Sequence, residues 1–217
     1  MPGASQTSRK ASPKLAPLPD YLCPGLELLF VGFNPGERSA RLGHYYAGIG
    51  NLFWPGLAQS GLLSAHLNYS DDWRLPGLGI GLTDLAKEPS RSITDLPRER
   101  FRRGRAALLR KIRLARPRVV AFVGKGVYEL FSGRQCRLGP QQQLICGAAV
   151  FVLPSTSARN AGISREEKLR WFSCLGEFVR TVRTDASRLC RSAAAGASPR
   201  ETDPTSAAYL VRRPAKR

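Results

Sequence analysis

Four short apolar runs punctuate the chain: Leu26–Phe33, Leu78–Leu85, Val119–Val123 and Ala149–Leu153. Runs of this length with no polar alternation predict strands buried on both faces. Between them the spacing becomes helical. Pro97 suits the first turn of a helix that runs to about Ala115 and stops before Pro117, with Phe101, Leu108, Ile112 and Ala115 on one stripe. Gly124-Lys125-Gly126 starts a short helix through Phe131. Ser164 with Glu167 reads as a capping box opening a helix that carries Leu169, Phe172, Gly176 and Val179 on one face. Asn51–Ser60 predicts a helix made irregular by Pro55 and Gly56, and residues 136–147 a hairpin or loop. Strands alternating with helices in one domain imply an α/β fold, a mostly parallel sheet of four strands with helices on both faces.

The core implied by this pattern covers 21–184. Residues 1–20 and 185–217 are rich in Ser, Pro, Ala and basic residues, and read as two disordered basic tails. With 217 residues, 42% of them hydrophobic, one sizeable core is expected. No run of about 18 apolar residues is present, so no membrane partner is expected. The N-terminus lacks the apolar stretch of a secretion signal, and a cytoplasmic or nuclear location is expected.

Charge narrows the choice of partner. The net charge is +18, and only seven of the 34 basic residues are lysine. A balance this positive points to a polyanion, most simply nucleic acid. The plainer alternatives are solubility, or the arginine bias of a GC-rich genome. The five cysteines (Cys23, Cys136, Cys146, Cys174 and Cys190) contain no C-x-x-C pair. That argues against zinc or an iron–sulfur cluster and for buried free thiols in a reducing compartment.

Two strand ends carry the candidate chemistry. The first strand stops at Gly32-Phe33-Asn34-Pro35-Gly36, where Gly32, Pro35 and Gly36 predict a turn presenting the Asn34 amide at the carboxyl end of the sheet. The last strand runs into Pro154-Ser155-Thr156-Ser157-Ala158-Arg159. Gly43–Trp54 places aromatics in a flexible glycine-rich loop suited to stacking on a planar ligand, worth about 1–3 kcal/mol for a nucleobase. Phe53 and Trp54 fit the core; Tyr46 fits the ligand. Gly124-Lys125-Gly126 lacks the other glycines and the Ser/Thr of a phosphate loop. The arginines of the 97–116 helix read as a solvated face.

At these positions, and at Gly79-Ile80-Gly81-Leu82-Thr83-Asp84 and Pro117–Ser132, the chain resembles the mismatch-specific uracil/thymine DNA glycosylases of the uracil-DNA glycosylase superfamily. The resemblance covers about 26–180. It implies a three-layer α/β/α sandwich around a four-stranded sheet, and a monofunctional enzyme that flips uracil, or another mismatched pyrimidine, from double-stranded DNA. Hydrolysis of the N-glycosidic bond then leaves an abasic site for base excision repair. It further implies that Asn34 positions the attacking water, that Tyr46 stacks on the flipped base, and that the backbone at Gly32 and Phe33 holds a base carbonyl. His44 and Tyr45 would wall the pocket, His44 in a structural role. Ser155, Thr156, Ser157 and Ala158 would form the loop against the flanking phosphates, with Arg159 either filling the gap or contacting phosphate only. No metal or organic cofactor is expected, and a monomer suffices.

The sequence departs from the usual pattern twice. Phe33 replaces a smaller isoleucine. Asp84 stands where relatives carry asparagine or lysine, and can either act as a general base, which an amide cannot, or cap a loop or face solvent. The rival reading is a non-catalytic or weakly catalytic nucleic-acid-binding module of the same fold.

Overall fold

A computed structural model describes residues 15–90 and 95–196; the outer parts of both expected tails lie outside them. The elements run β1 (Leu28–Gly32), α1 (Glu37–Leu42), α2 (Phe53–Gln59), a 3-10 helix (Tyr69–Leu78), β2 (Ile80–Asp84), α3 (Arg98–Ala115), β3 (Val119–Val123), α4 (Lys125–Ser132), β4 (Gly139–Ile145), β5 (Ala148–Leu153) and α5 (Arg165–Gly196). They form one five-stranded sheet in the order β2-β1-β3-β5-β4. The four apolar strands are parallel, and β4 pairs antiparallel with β5. The sheet is therefore mixed and has one strand more than expected. The hairpin foreseen over 136–147 supplies the addition.

Side chains alternate across the sheet, so each strand feeds two cores. Leu28 and Phe30 of β1 pack with Phe53 and Leu57 of α2 and Phe172, Leu175 and Val179 of α5. Leu29 and Val31 pack on the other face with Phe101, Leu108 and Ile112 of α3 and Val127, Tyr128 and Phe131 of α4. Two helices approach without spacers. A methyl on Gly176 of α5 would overlap the Ser60 carbonyl after α2, and one on Gly104 of α3 would overlap the Leu85 carbonyl after β2.

Described structure extends into both expected tails. Leu18 is buried in the first core, Asp20 is ion-paired, and Tyr21 bridges to Leu82, so ordered contacts begin before residue 21. Residues 185–196 are helical within α5 rather than irregular. Contact density divides the chain into units 1–184 and 185–217. Cys23, Cys136, Cys146 and Cys174 are free thiols, but they are not buried. Cys23, Cys136 and Cys174 are half-buried, and Cys146 is exposed in the β4–β5 turn at φ 51°.

Candidate active site

The site forms where the chain leaves β1, β2 and β5. The segments after β1 and β2 are zipped together: Leu85 N donates to Gly32 O (2.9 Å), Ala86 N to Phe33 O (2.9 Å) and Ser90 N to Pro35 O (3.1 Å). That brings the Glu88 carbonyl and Ser90 hydroxyl to Asn34, whose Nδ2 donates to Glu88 O at 2.7 Å and Ser90 Oγ at 2.9 Å. A backbone carbonyl can only accept, so the amide nitrogen must face it. Asn34 Oδ1 is thereby turned the other way, and it accepts no bond among the described residues. Asn34 itself is half-buried, open to a ligand.

Asp84, at the end of β2 and level with Gly32 on β1, is buried at 4% exposure. Its Oδ2 has no hydrogen-bond partner among the described residues, and neither does the buried Tyr46 hydroxyl. Both side chains lie against Gly32. A Cβ there would overlap Asp84 Oδ1 and stand 3.0 Å from Tyr46 Oη. Gly32 therefore serves as clearance within a strand, not as a turn residue. Burial, opposed first by Lys87, pushes the Asp84 carboxyl up to about 7. Burial and the Asp84 charge also raise the Tyr46 hydroxyl.

The aromatic loop is pinned rather than flexible. Asp72, fully buried, accepts the Tyr45 N–H at 2.8 Å and holds His44 Nδ1 at 3.0 Å. Ala47 N donates to Ser39 Oγ, and Arg38 Nε to Ala47 O. Fixed on both sides, Tyr46 adopts φ 55°, which costs a non-glycine residue roughly 1–2 kcal/mol. Its ring stacks on Phe53 at 3.9 Å and 13°. Tyr45 is a core residue whose hydroxyl accepts from Lys87 Nζ at 3.2 Å. The Phe33 ring packs on Phe101 of α3 at 4.7 Å, so its extra bulk goes into the second core and leaves its backbone at the site.

The loop after β5 meets the aromatic loop directly. Leu52 N donates to the carbonyl of buried Thr156, and Gly50 approaches Ala158 closely enough that a Cβ there would stand 3.3 Å from the alanine methyl. Ser155 Oγ and Ser157 Oγ accept from the N–H groups of Ser157 and Arg159, which curls the loop and leaves Ala158 and Arg159 exposed.

The profile of the Uracil DNA glycosylase superfamily matches residues 19–174. The chain belongs to this superfamily. The G/U mismatch-specific uracil DNA glycosylase of Schizosaccharomyces pombe is 36% identical over 173 residues, which cover 75% of this chain and 53% of the relative. The chain thus spans about half the length of that curated relative. A proposed uracil DNA glycosylase from Methanosarcina acetivorans, solved by NMR, shares the fold with a TM-score of 0.52 and 24% identity, covering 77% of this chain and 98% of that one.

In this superfamily member the sequence named Gly32, Asn34, Tyr45, Tyr46, Asp84 and Ser155–Arg159 as candidates without foreseeing that the Ser155–Arg159 loop packs on the aromatic loop. It missed the groups that hold them. Asp20 binds Thr83, Lys87 and Lys111 under the site. Lys168, 4% exposed, donates to the carbonyls of Ser157 and Asn160 and braces the Arg159 loop from α5. A lysine one helical turn before Phe172, on its buried stripe, was the available signal. One surface cavity, lined by Gly50, Ala158 and Lys168, flanks that loop; a second, by Arg105, Tyr128 and Cys146, lies away from the site.

Proposed function

We propose that the chain hydrolyses the N-glycosidic bond of uracil in double-stranded DNA, foremost at G·U mispairs, and leaves an abasic site for base excision repair. The observation that carries this reading is the orientation of Asn34. Its nitrogen is held by Glu88 O and Ser90 Oγ, so its oxygen is the end that can accept a hydrogen bond from the water and orient it. The water oxygen bonds to the sugar C1′ as the C1′–N1 bond breaks, and its electron pair leaves on the base. The proton released by the water passes to Asp84, which is ionised above about pH 7.

Two buried polar atoms without partners, Tyr46 Oη and Asp84 Oδ2, lie against one glycine. Buried polar groups are normally paired, so their neighbourhood suits a polar edge of the base or the attacking water. A base stronger than an amide extends the reaction to poorer leaving groups than uracil, thymine among them. Tyr46, backed by Phe53, offers the stacking face, and Arg159 occupies the gap left in the duplex. Lys87 and Lys111 are committed to Asp20, so neither is a nucleophile for a Schiff base, and strand cleavage is not expected.

The test is single-turnover base release from labelled duplexes carrying G·U, A·U or G·T, and from single strands, by the wild type and Asn34→Ala. Loss of water positioning should slow release by at least about 100-fold. Unchanged release by Asn34→Ala overturns the mechanism; no release by the wild type leaves a DNA-binding module.

A further inference from the structure

Beneath the site, three charged side chains from distant parts of the sequence converge. Asp20 Oδ1 accepts from Lys87 Nζ at 2.8 Å and Thr83 Oγ1 at 2.7 Å, while Asp20 Oδ2 lies 2.8 Å from Lys111 Nζ. Lys111 Nζ also donates to Thr83 Oγ1 at 3.0 Å. Lys87 also donates to the Tyr45 hydroxyl at 3.2 Å, and Tyr45 and Asp84 influence each other's proton affinity. The anchor sits just before β1, one lysine follows β2 and the other is on α3. Thr83, which touches both Asp20 and Lys111, is the residue next to Asp84 on β2.

Two ammonium groups share one carboxylate in this arrangement, so the three side chains carry a net charge of +1. Half-buried charge is rarely left unbalanced. The groups that face Asp84 are Lys87, Asp20, Lys111 and the hydroxyls of Tyr45 and Tyr46, while β1 offers only Gly32. Among the described residues, Asp84 is the further carboxylate on which both lysine charges act, and it can neutralise the excess.

We propose that Lys87, Lys111, Asp20 and Asp84 form a four-membered charge cluster in which the lysine excess is the counter-ion of Asp84, making Asp20 and both lysines positioning residues for excision. This rests on the reading of Asp84 as the base. The cluster sets how much base is present at neutral pH. With both lysines in place, ionised Asp84 completes a neutral set. With one lysine removed, ionised Asp84 leaves the set at −1. With Asp20 neutralised, the set without Asp84 is +2 and calls for the carboxylate more strongly.

The two perturbations therefore act in opposite directions, which damage to the fold cannot imitate. In full-length protein, single-turnover excision from a G·U duplex is measured across pH for wild type, Lys111→Met, Lys111→Arg and Asp20→Asn. The acid limb should move up by about 1–2 pH units in Lys111→Met, down by a similar amount in Asp20→Asn, and return in Lys111→Arg. In parallel, the carboxyl carbon of Asp84, assigned by its loss in Asp84→Asn, is titrated by NMR. If Lys111→Met does not fold, Lys87→Gln takes its place. Opposed shifts of the Asp84 titration establish the cluster. Shifts of the same sign, or none, overturn it. Opposed shifts by NMR with an unmoved excision profile keep the cluster and remove Asp84 as the base.

Discussion

Raising the pH from 5 to 8 should cost the folded protein stability, and Asp84 is the reason. In the unfolded chain this carboxyl releases its proton near 3.8; in the folded protein burial holds the proton to about 7. Between those values the native state binds a proton that the unfolded state has lost, so the free energy of unfolding falls as pH rises. Above about 7 both states are ionised and the cost stays constant. At about 1.4 kcal/mol per pH unit, the interval corresponds to about 4 kcal/mol, a large share of the 5–15 kcal/mol typical of a domain. Asp84→Asn keeps the shape and cannot titrate. Urea unfolding of both proteins from pH 4.5 to 8.5 isolates the effect, because other groups largely cancel in the difference. Asp20, held below the ordinary carboxylate range because bonds from Lys111, Lys87 and Thr83 outweigh its burial, titrates beneath that window. Relative to wild type, Asp84→Asn should gain steadily from pH 5 to 7 and then level off. A difference that does not vary with pH would falsify the burial argument.

Other expectations follow from single contacts. Gly104→Ala gains about 1 kcal/mol of helix propensity but drives a methyl into the Leu85 carbonyl; overpacking of about 1–3 kcal/mol should win, visible as a lower melting temperature. Lys168→Met keeps the buried stem and orphans the Ser157 and Asn160 carbonyls. It should cost about 1–3 kcal/mol of stability and raise KM on duplex while sparing single strands, as steady-state kinetics on both substrates will show. Arg159→Ala should lower excision from duplex about tenfold or more, since flipping costs a few kcal/mol and about 1.4 kcal/mol of lost support is already tenfold. The same variant should cut single-stranded uracil DNA at the wild-type rate; an equal loss on both substrates refutes the gap-filling role.

The parallel strands were legible because each is an unbroken apolar run, which only a strand buried on both faces needs. β4 was not, because Gly-Pro-Gln-Gln-Gln-Leu-Ile is polar along most of its length. It lies at the sheet edge, pairs on one side only, and can carry Pro140 there. The short α1 and the 3-10 helix escaped notice for want of an apolar stripe, although Asn68 and Asp71 form a capping box over the latter. Of the candidate site, Asn34 could be picked from where a strand ends, Tyr46 from the glycine-rich aromatic loop, and Asp84 from the family resemblance. Their supports could not, because Asp20 reaches Thr83 across 63 residues and Lys111 lies in a helix that otherwise looks solvated. The one lysine among its arginines, a turn after Leu108 on the buried side, was the only local hint.

On the proposed reading, the arrangement separates what must be rigid from what must meet DNA, and then ties the two together. Asn34 and Asp84 leave adjacent parallel strands locked in register, so their spacing is set by backbone hydrogen bonds rather than by side-chain choice. Tyr46 and Arg159 sit on loops, yet neither loop moves alone. Leu52 N holds Thr156 O, Gly50 abuts Ala158, Asp72 grips Tyr45, and Lys168 braces Ser157. A displacement of the Arg159 loop on meeting the duplex would be felt at the stacking tyrosine, whose hydroxyl lies against the same glycine as Asp84. Because Tyr46 is held in a left-handed conformation by its pinned neighbours, even a small shift of those anchors changes its energy. On the proposed reading, binding of the duplex and readiness of the base pocket are mechanically connected through these four contacts, and the charge cluster joins them where Lys87 donates to the Tyr45 hydroxyl.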